Sequence, residues 1–177
     1  MVRHYRRMST EYATVRPEPT VLAINEGQHL HFLNHLATVK LRGETAGSLS
    51  VVEFVGPRGF GPPLHRHDHE DELFVILDGR IVFRSGDLEI EAEAGAHAFL
   101  PHGRPHTFQV LSDTARFTCI TASRTVTPEF DQMVTGLGTP VVEPTLPEPA
   151  PIDPAVVAEV CRAHGIEVLG PPPQPLT

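Results

Sequence analysis

At 177 residues the chain is long enough for one domain with a real core and too short for two comfortable ones. A formal charge of -8 with histidine neutral speaks against a nucleic-acid-binding face, and no apolar run is long enough to span a membrane. Three arginines lie in the first seven residues without an apolar stretch behind them, so no signal peptide is expected, and Met8 is a candidate start after a loose leader. The two cysteines, Cys119 and Cys161, give neither a disulfide framework nor zinc-site spacing, and a reducing, cytoplasmic setting is the expectation. Histidine is the compositional outlier: of eleven, six fall between His65 and His106.

In chain order, residues 1–19 are polar without a period and read as a flexible N-terminal segment that ends as an added edge strand. A short β-branched run follows at Thr20 to Asn25, and Glu26-Gly27 turns the chain. Gln28 to Leu33 and Ala37 to Leu41 alternate as strands do, and the His29-Leu30-His31 triplet reads as a strand face. Ser48 to Val55 is apolar enough to be a strand buried on both faces. Gly56 to Pro63 is a loop, followed by the stretch on which the chain is organised, GFGPPLHRHDHEDELFVILDG from Gly59 to Gly79. His65 and His67 are two apart, so on a strand both imidazoles leave the same face. After a polar turn, Glu72 opens the apolar strand Glu72 to Leu77, which Asp78-Gly79 closes with a tight-turn signal. Pairing of these two strands brings Glu72 to the imidazoles. Two imidazoles and a carboxylate suit one divalent transition metal: iron, nickel, manganese, cobalt, copper or zinc.

Arg80 to Arg84 is a strand with Ile81 and Phe83 on one face. Leu88 to Glu93 alternates, with Leu88, Ile90 and Ala92 expected inside. Gly95 to His106 holds a turn, a short strand and a Pro/Gly-rich turn, after which His106 opens a strand and supplies a fourth ligand candidate. Ala115 to Ser123 is the last expected strand, with Phe117, Cys119 and Thr121 on one face. A short helix is expected at Thr127 to Leu137, with Thr127 as cap and Pro128 at its first position. A Pro-rich linker follows, then a helix that Asp153-Pro154 opens and Gly165 stops, and a frayed tail from Pro171. Residues 20–125 thus read as a β-barrel and 126–177 as a C-terminal extension of short helix, linker, helix 154–164 and tail. Many short strands with Gly, Asp and Pro turns indicate a sandwich or barrel.

Two motifs now coincide. Gly59, His65, His67, Glu72 and Gly79 fill every fixed position of G-x5-H-x-H-x4-E-x6-G. Gly95, Pro101, Gly103 and His106 fill all but the last position of G-x5-P-x-G-x2-H-x3-N, where Val110 stands for Asn. In this the chain resembles the cupin superfamily. Its layout over roughly residues 38–172 is similar to bacterial single-domain cupins related to quercetin dioxygenases. The resemblance implies an all-β fold, a cupin (double-stranded β-helix or jelly-roll barrel) with short C-terminal helices. It implies a metal held by His65, His67, Glu72 and His106, with Glu72 also the catalytic base. His69, in the turn, is expected at the site mouth or in solvent, with substitution as a ligand the alternative, and His97 is a group that either backs the site or faces solvent. The implied function is metal-dependent dioxygenolysis of a phenolic or enolic small molecule, aromatic or polyketide-like. Two alternatives stand beside it: a non-redox, zinc-type polyketide cyclase or isomerase, and a non-catalytic small-molecule-binding cupin. The apolar outward face of Leu73, Val75 and Leu77 predicts a homodimer.

Overall fold

The computed structural model describes residues 18–174, so most of the expected N-terminal segment and the last three residues of the tail lie outside the described residues. Residues 20–25 form no strand, and Val21 and Ile24 stand in solvent. The chain instead begins its sheet with β1 (Gln28–Phe32) and β2 (His35–Leu41), joined by a two-residue turn. Both turn residues, Leu33 (φ 47°) and Asn34 (φ 67°), are left-handed, as a turn that matches strand twist requires. Asn34 holds the turn by giving and accepting one hydrogen bond each with the Ala150 backbone, both 2.9 Å.

After a single-turn helix, α1 (Gly43–Ala46), comes β3 (Leu49–Pro57). Alternate residues of β3 are buried and half-buried, so it is covered fully on one face only and not on both as expected. Then follow β4 (His65–His67), β5 (Asp71–Asp78), β6 (Arg80–Ser85), β7 (Leu88–Glu93), β8 (His97–Leu100), β9 (Thr107–Val110) and β10 (Thr114–Ala122). Gly79 makes the β5–β6 turn at φ 82°, and a Cβ there would meet the Thr114 carbonyl oxygen at 2.4 Å. Beyond the barrel strands lie α2 (Phe130–Leu137), β11 (Thr139–Pro140), α3 (Pro154–Ala163) and β12 (Ile166–Val168). Helix α3 starts as predicted, with Asp153 Oδ1 accepting the Ala155 N–H at 2.9 Å. Helix α2 starts at Phe130, three residues after the predicted cap.

The strands form two facing layers, the all-β jelly-roll arrangement that the sequence leads one to expect. One is a seven-stranded sheet in the order β11-β1-β2-β3-β10-β5-β8. The other joins the three-stranded β7-β6-β9 to the pair β4-β12 through reciprocal backbone bonds between His65 and His106, at 3.0 and 2.9 Å. Strand β4 therefore does not pair with β5, contrary to the sequence expectation. Its partner is β12, a strand missing from that reading, in the register His67 to Ile166 and His65 to Val168. The tail is pinned as well: Leu64 N–H donates to the Pro171 carbonyl and Gln109 Nε2 to the Gln174 carbonyl.

Phe32, Phe54, Phe74, Phe83, Phe108, Phe117 and Phe130 pack between the layers, with Leu30, Val52, Ile76, Ile81 and Val110. Each buried phenyl contributes about 2–3 kcal/mol through area removed from water. Strand β7 departs from the expected pattern. Leu88 and Ile90 are 64% and 60% exposed, because β7 is the outer edge of its sheet and no layer of the described chain covers it.

Candidate metal centre

Three histidines reach the interior from one layer and one glutamate from the other. His65 and His67 project from β4, and His106 from the residue before β9; the reciprocal backbone bonds hold His65 beside His106. Glu72 projects from β5 across the gap, on the same face as the buried Phe74 and Ile76. His67, Glu72 and His106 are each at most 2% exposed. Each of the four residues offers one ligand atom, and these atoms all lie within 4.8 Å of one another.

The proton placement gives this cluster its chemistry. His65 Nδ1 lies 2.8 Å from the Pro63 carbonyl and His106 Nδ1 lies 2.9 Å from the Arg104 carbonyl. A carbonyl only accepts, so in the neutral ring each Nδ1 carries the hydrogen and each Nε2 keeps a bare lone pair. Nε2 of His106 is 2.7 Å and Nε2 of His67 is 3.5 Å from Glu72 Oε2. The His106 lone pair thus faces a carboxylate oxygen, and His67 Nε2, His106 Nε2 and Glu72 Oε2 are buried without a hydrogen-bond partner among the described residues. Converging acceptors without donors are costly when buried and are satisfied by a cation. Three imidazoles and a carboxylate fit a divalent metal of the first transition row.

Titration follows from the same arrangement. Burial alone would raise the Glu72 carboxyl, but the surrounding His67, His106 and His65 rings hold it well below its usual range. Burial, with His106 beside it, lowers His65 to about 3. For His67 burial also pulls downward, yet the Glu72 and Glu70 carboxylates outweigh it and the imidazole is raised.

Two groups supporting the cluster were not legible in the sequence. The run His69 to Glu72 reads there as a solvated turn apart from Glu72, but Glu70 is buried. Its Oε1 accepts the Glu129 N–H at the start of α2, and its Oε2 faces His67 Nδ1 at 3.4 Å, a long contact in which neither atom has another partner among the described residues. Cys119, read as plain core, donates its S–H to Glu72 Oε1 at 3.3 Å from the neighbouring strand β10. Burial first, then Glu72, pushes this thiol well above its ordinary range, so it remains a donor.

The remaining histidines stand apart. His69 is exposed and lines a separate hollow with Glu70, Glu129 and His164; His97 is exposed on β8. His29 bonds Thr38 and the Asn25 carbonyl, and His31 the Thr145 carbonyl, so both serve the strand face. Above the cluster lies a cavity of about 70 Å³, walled by Phe32, Phe54, Phe60, Phe108, Phe117 and Phe130 with His35, His65 and Glu72. Leu33, Phe60, Pro62, Pro63, Val157 and Val168 separate it from an outer apolar cavity of about 650 Å³.

Residues 51–121 match a family model described as a cupin domain. Over 109 residues the chain is 30% identical to quercetin 2,3-dioxygenase of Bacillus subtilis (strain 168), an alignment covering 58% of this chain and 31% of that protein. The chain thus spans about a third of the length of the curated relative it matches. Among solved structures, the cupin domain of Schizosaccharomyces pombe Cnp3 aligns over 53% of this chain and 64% of that one, at 17% identity and a TM-score of 0.49. KdgF from Halomonas sp. aligns over 51% and 82%, at 15% identity and a TM-score of 0.47. The barrel containing residues 51–121 is a cupin domain, and the chain resembles the bacterial quercetin dioxygenase-like cupins.

Proposed function

We propose that His65, His67, Glu72 and His106 hold one divalent transition metal and that the protein is a metal-dependent oxygenase acting on a phenolic or enolic small molecule. The convergence of unpaired acceptors beneath an aromatic cavity carries this reading. The identity with quercetin 2,3-dioxygenase supports the choice of reaction class. A bound metal supplies a position for an oxygen-bearing ligand and stabilises negative charge developing on that oxygen. Glu72 is the proton acceptor. Cys119 donates to its Oε1 and holds the carboxylate in place. The phenyl walls orient an apolar ligand and exclude water.

The test is oxygen uptake by metal-reconstituted protein with a panel of flavonols and enediols, alongside Glu72→Gln. Uptake by wild type, abolished in Glu72→Gln with metal partly retained, is expected. A wild-type rate in that variant removes Glu72 as the base, and turnover under anaerobic conditions replaces the oxygenase with a cyclase or isomerase.

No helix of the described residues is long and apolar enough to cross a membrane. Leu77, Leu88, Ile90 and Phe99 are 44–64% exposed on the β7 and β8 strands and the end of β5. We assign this apolar surface to contact with a second copy of the chain. Light scattering at high concentration is expected to give a dimer mass, and a monomer refutes the assignment. The free, buried Cys119 and Cys161 accord with a reducing, cytoplasmic setting.

A further inference from the structure

Besides the Cys161 thiol, the inner cavity has one nitrogen- or oxygen-bearing side chain in its wall that the metal cluster does not use. His35, the first residue of β2, is 1% exposed and packed among phenyl rings. Its ring centroid lies 3.8 Å from that of Phe60, 4.9 Å from Phe32 and 5.3 Å from Phe54. Nδ1 lies 3.2 Å from the Leu33 carbonyl, the only kind of group there that fixes a proton on Nδ1. That carbonyl belongs to the left-handed Leu33-Asn34 turn, which Asn34 clamps to Ala150. The turn therefore sets the tautomer: Nε2 is left as a lone pair, and no group of the described residues donates to it.

An acceptor in a cavity wall without a donor among the described residues is a place where a ligand completes the pairing. His35 lines the same cavity as His65 and Glu72, so a ligand resting on the cluster also reaches His35. We infer that His35 Nε2 accepts a hydrogen bond from a hydroxyl group of the ligand, other than the oxygen presented to His65, His67, Glu72 and His106. This deepens the proposed function and rests on its cavity, and it narrows the ligand class. The ligand is an apolar ring or chain with a metal-directed oxygen and a second O–H donor turned toward β2. A group with only ether or carbonyl oxygens at that edge would face the lone pair and be rejected. Burial lowers the His35 imidazole to about 3, so it stays neutral and accepting throughout the usual pH range.

The test uses phenol and toluene, two rings of similar size of which only phenol donates. Full-length protein carrying 15N-labelled histidine is titrated with each, in zinc-containing buffer and again with a chelator. The expected result is tighter binding of phenol by about threefold to tenfold, with an upfield movement of the His35 Nε2 resonance that toluene does not cause. His35→Phe should keep the fold and lose the phenol preference, and His35→Gln, which retains an acceptor, should restore part of it. Equal or absent binding of the two probes, or an Nε2 resonance that phenol leaves unmoved, overturns the inference. A phenol-induced shift that persists in chelator upholds the His35 contact even where the metal reading fails.

Discussion

Glu70 connects helix α2 to the His/Glu cluster, and two substitutions separate its two roles. In Glu70→Ala the Glu129 N–H at the start of α2 loses its acceptor, and His67 Nδ1 loses the carboxylate 3.4 Å away. Loss of this part-buried hydrogen bond costs about 1 kcal/mol, which for a chain of this size lowers the melting temperature by about 2–4 °C. Glu70→Gln is more informative. Its carbonyl can still accept from Glu129, but its amide N–H₂ then faces His67 Nδ1. The amide donates into that nitrogen and drives the ring proton to Nε2, the atom facing Glu72 at 3.5 Å. A protonated Nε2 is no longer a ligand. Loss of such an orienting partner typically weakens metal binding about 10- to 100-fold. Competition with a chromophoric chelator, run beside thermal melts in EDTA, reads the two effects apart. Glu70→Gln should melt near wild type and bind metal at least tenfold more weakly, while Glu70→Ala should lose both. Wild-type metal affinity in Glu70→Gln would refute the reasoning, because His67 would then not depend on Glu70 for its tautomer.

The cluster joins the two sheets, so metal should stabilise the fold as well as equip the site. At a free metal concentration about 100-fold above Kd the gain is about 2.7 kcal/mol, read as a melting temperature several degrees higher that EDTA reverses. His67→Ala should abolish that EDTA-sensitive shift and most bound metal by mass spectrometry; full occupancy would show that the ligand set is wrong. A pH effect follows from His35. Its folded value of about 3 lies below the unfolded value of 6.5, so below pH 6.5 the unfolded chain takes up a proton that the folded chain refuses. Stability is therefore undiminished above pH 6.5 and falls as pH drops toward 3, by about 1.4 kcal/mol per pH unit for this one group. Urea midpoints between pH 7 and 5 should decline less in His35→Phe than in wild type, and parallel declines would contradict the buried neutral state.

The sequence by itself determined which faces of the ligand strands turn inward. Strand parity sets His65 with His67 and Glu72 with Phe74 and Ile76, because a period of two is a local property of extended backbone. Motif spacing singled out His106, and local chemistry set the start of α3 at Asp153-Pro154. Partners were another matter. The ligand strand β4 pairs with β12, about 100 residues away, and meets Glu72 only because two sheets face each other. Alternation gives a strand its faces and no information about its neighbour, which is why Leu88 and Ile90 read as core and stand exposed on an edge. Glu70, Cys119 and His35 were invisible for the same reason. Each gains its role from a group distant in sequence or from a backbone turn: the start of α2 for Glu70, the facing carboxylate of β5 for Cys119, and the left-handed turn before β2 for His35. Local sequence chose the chemistry of these side chains, and only the packing of the two layers decided which of them would be buried without a partner.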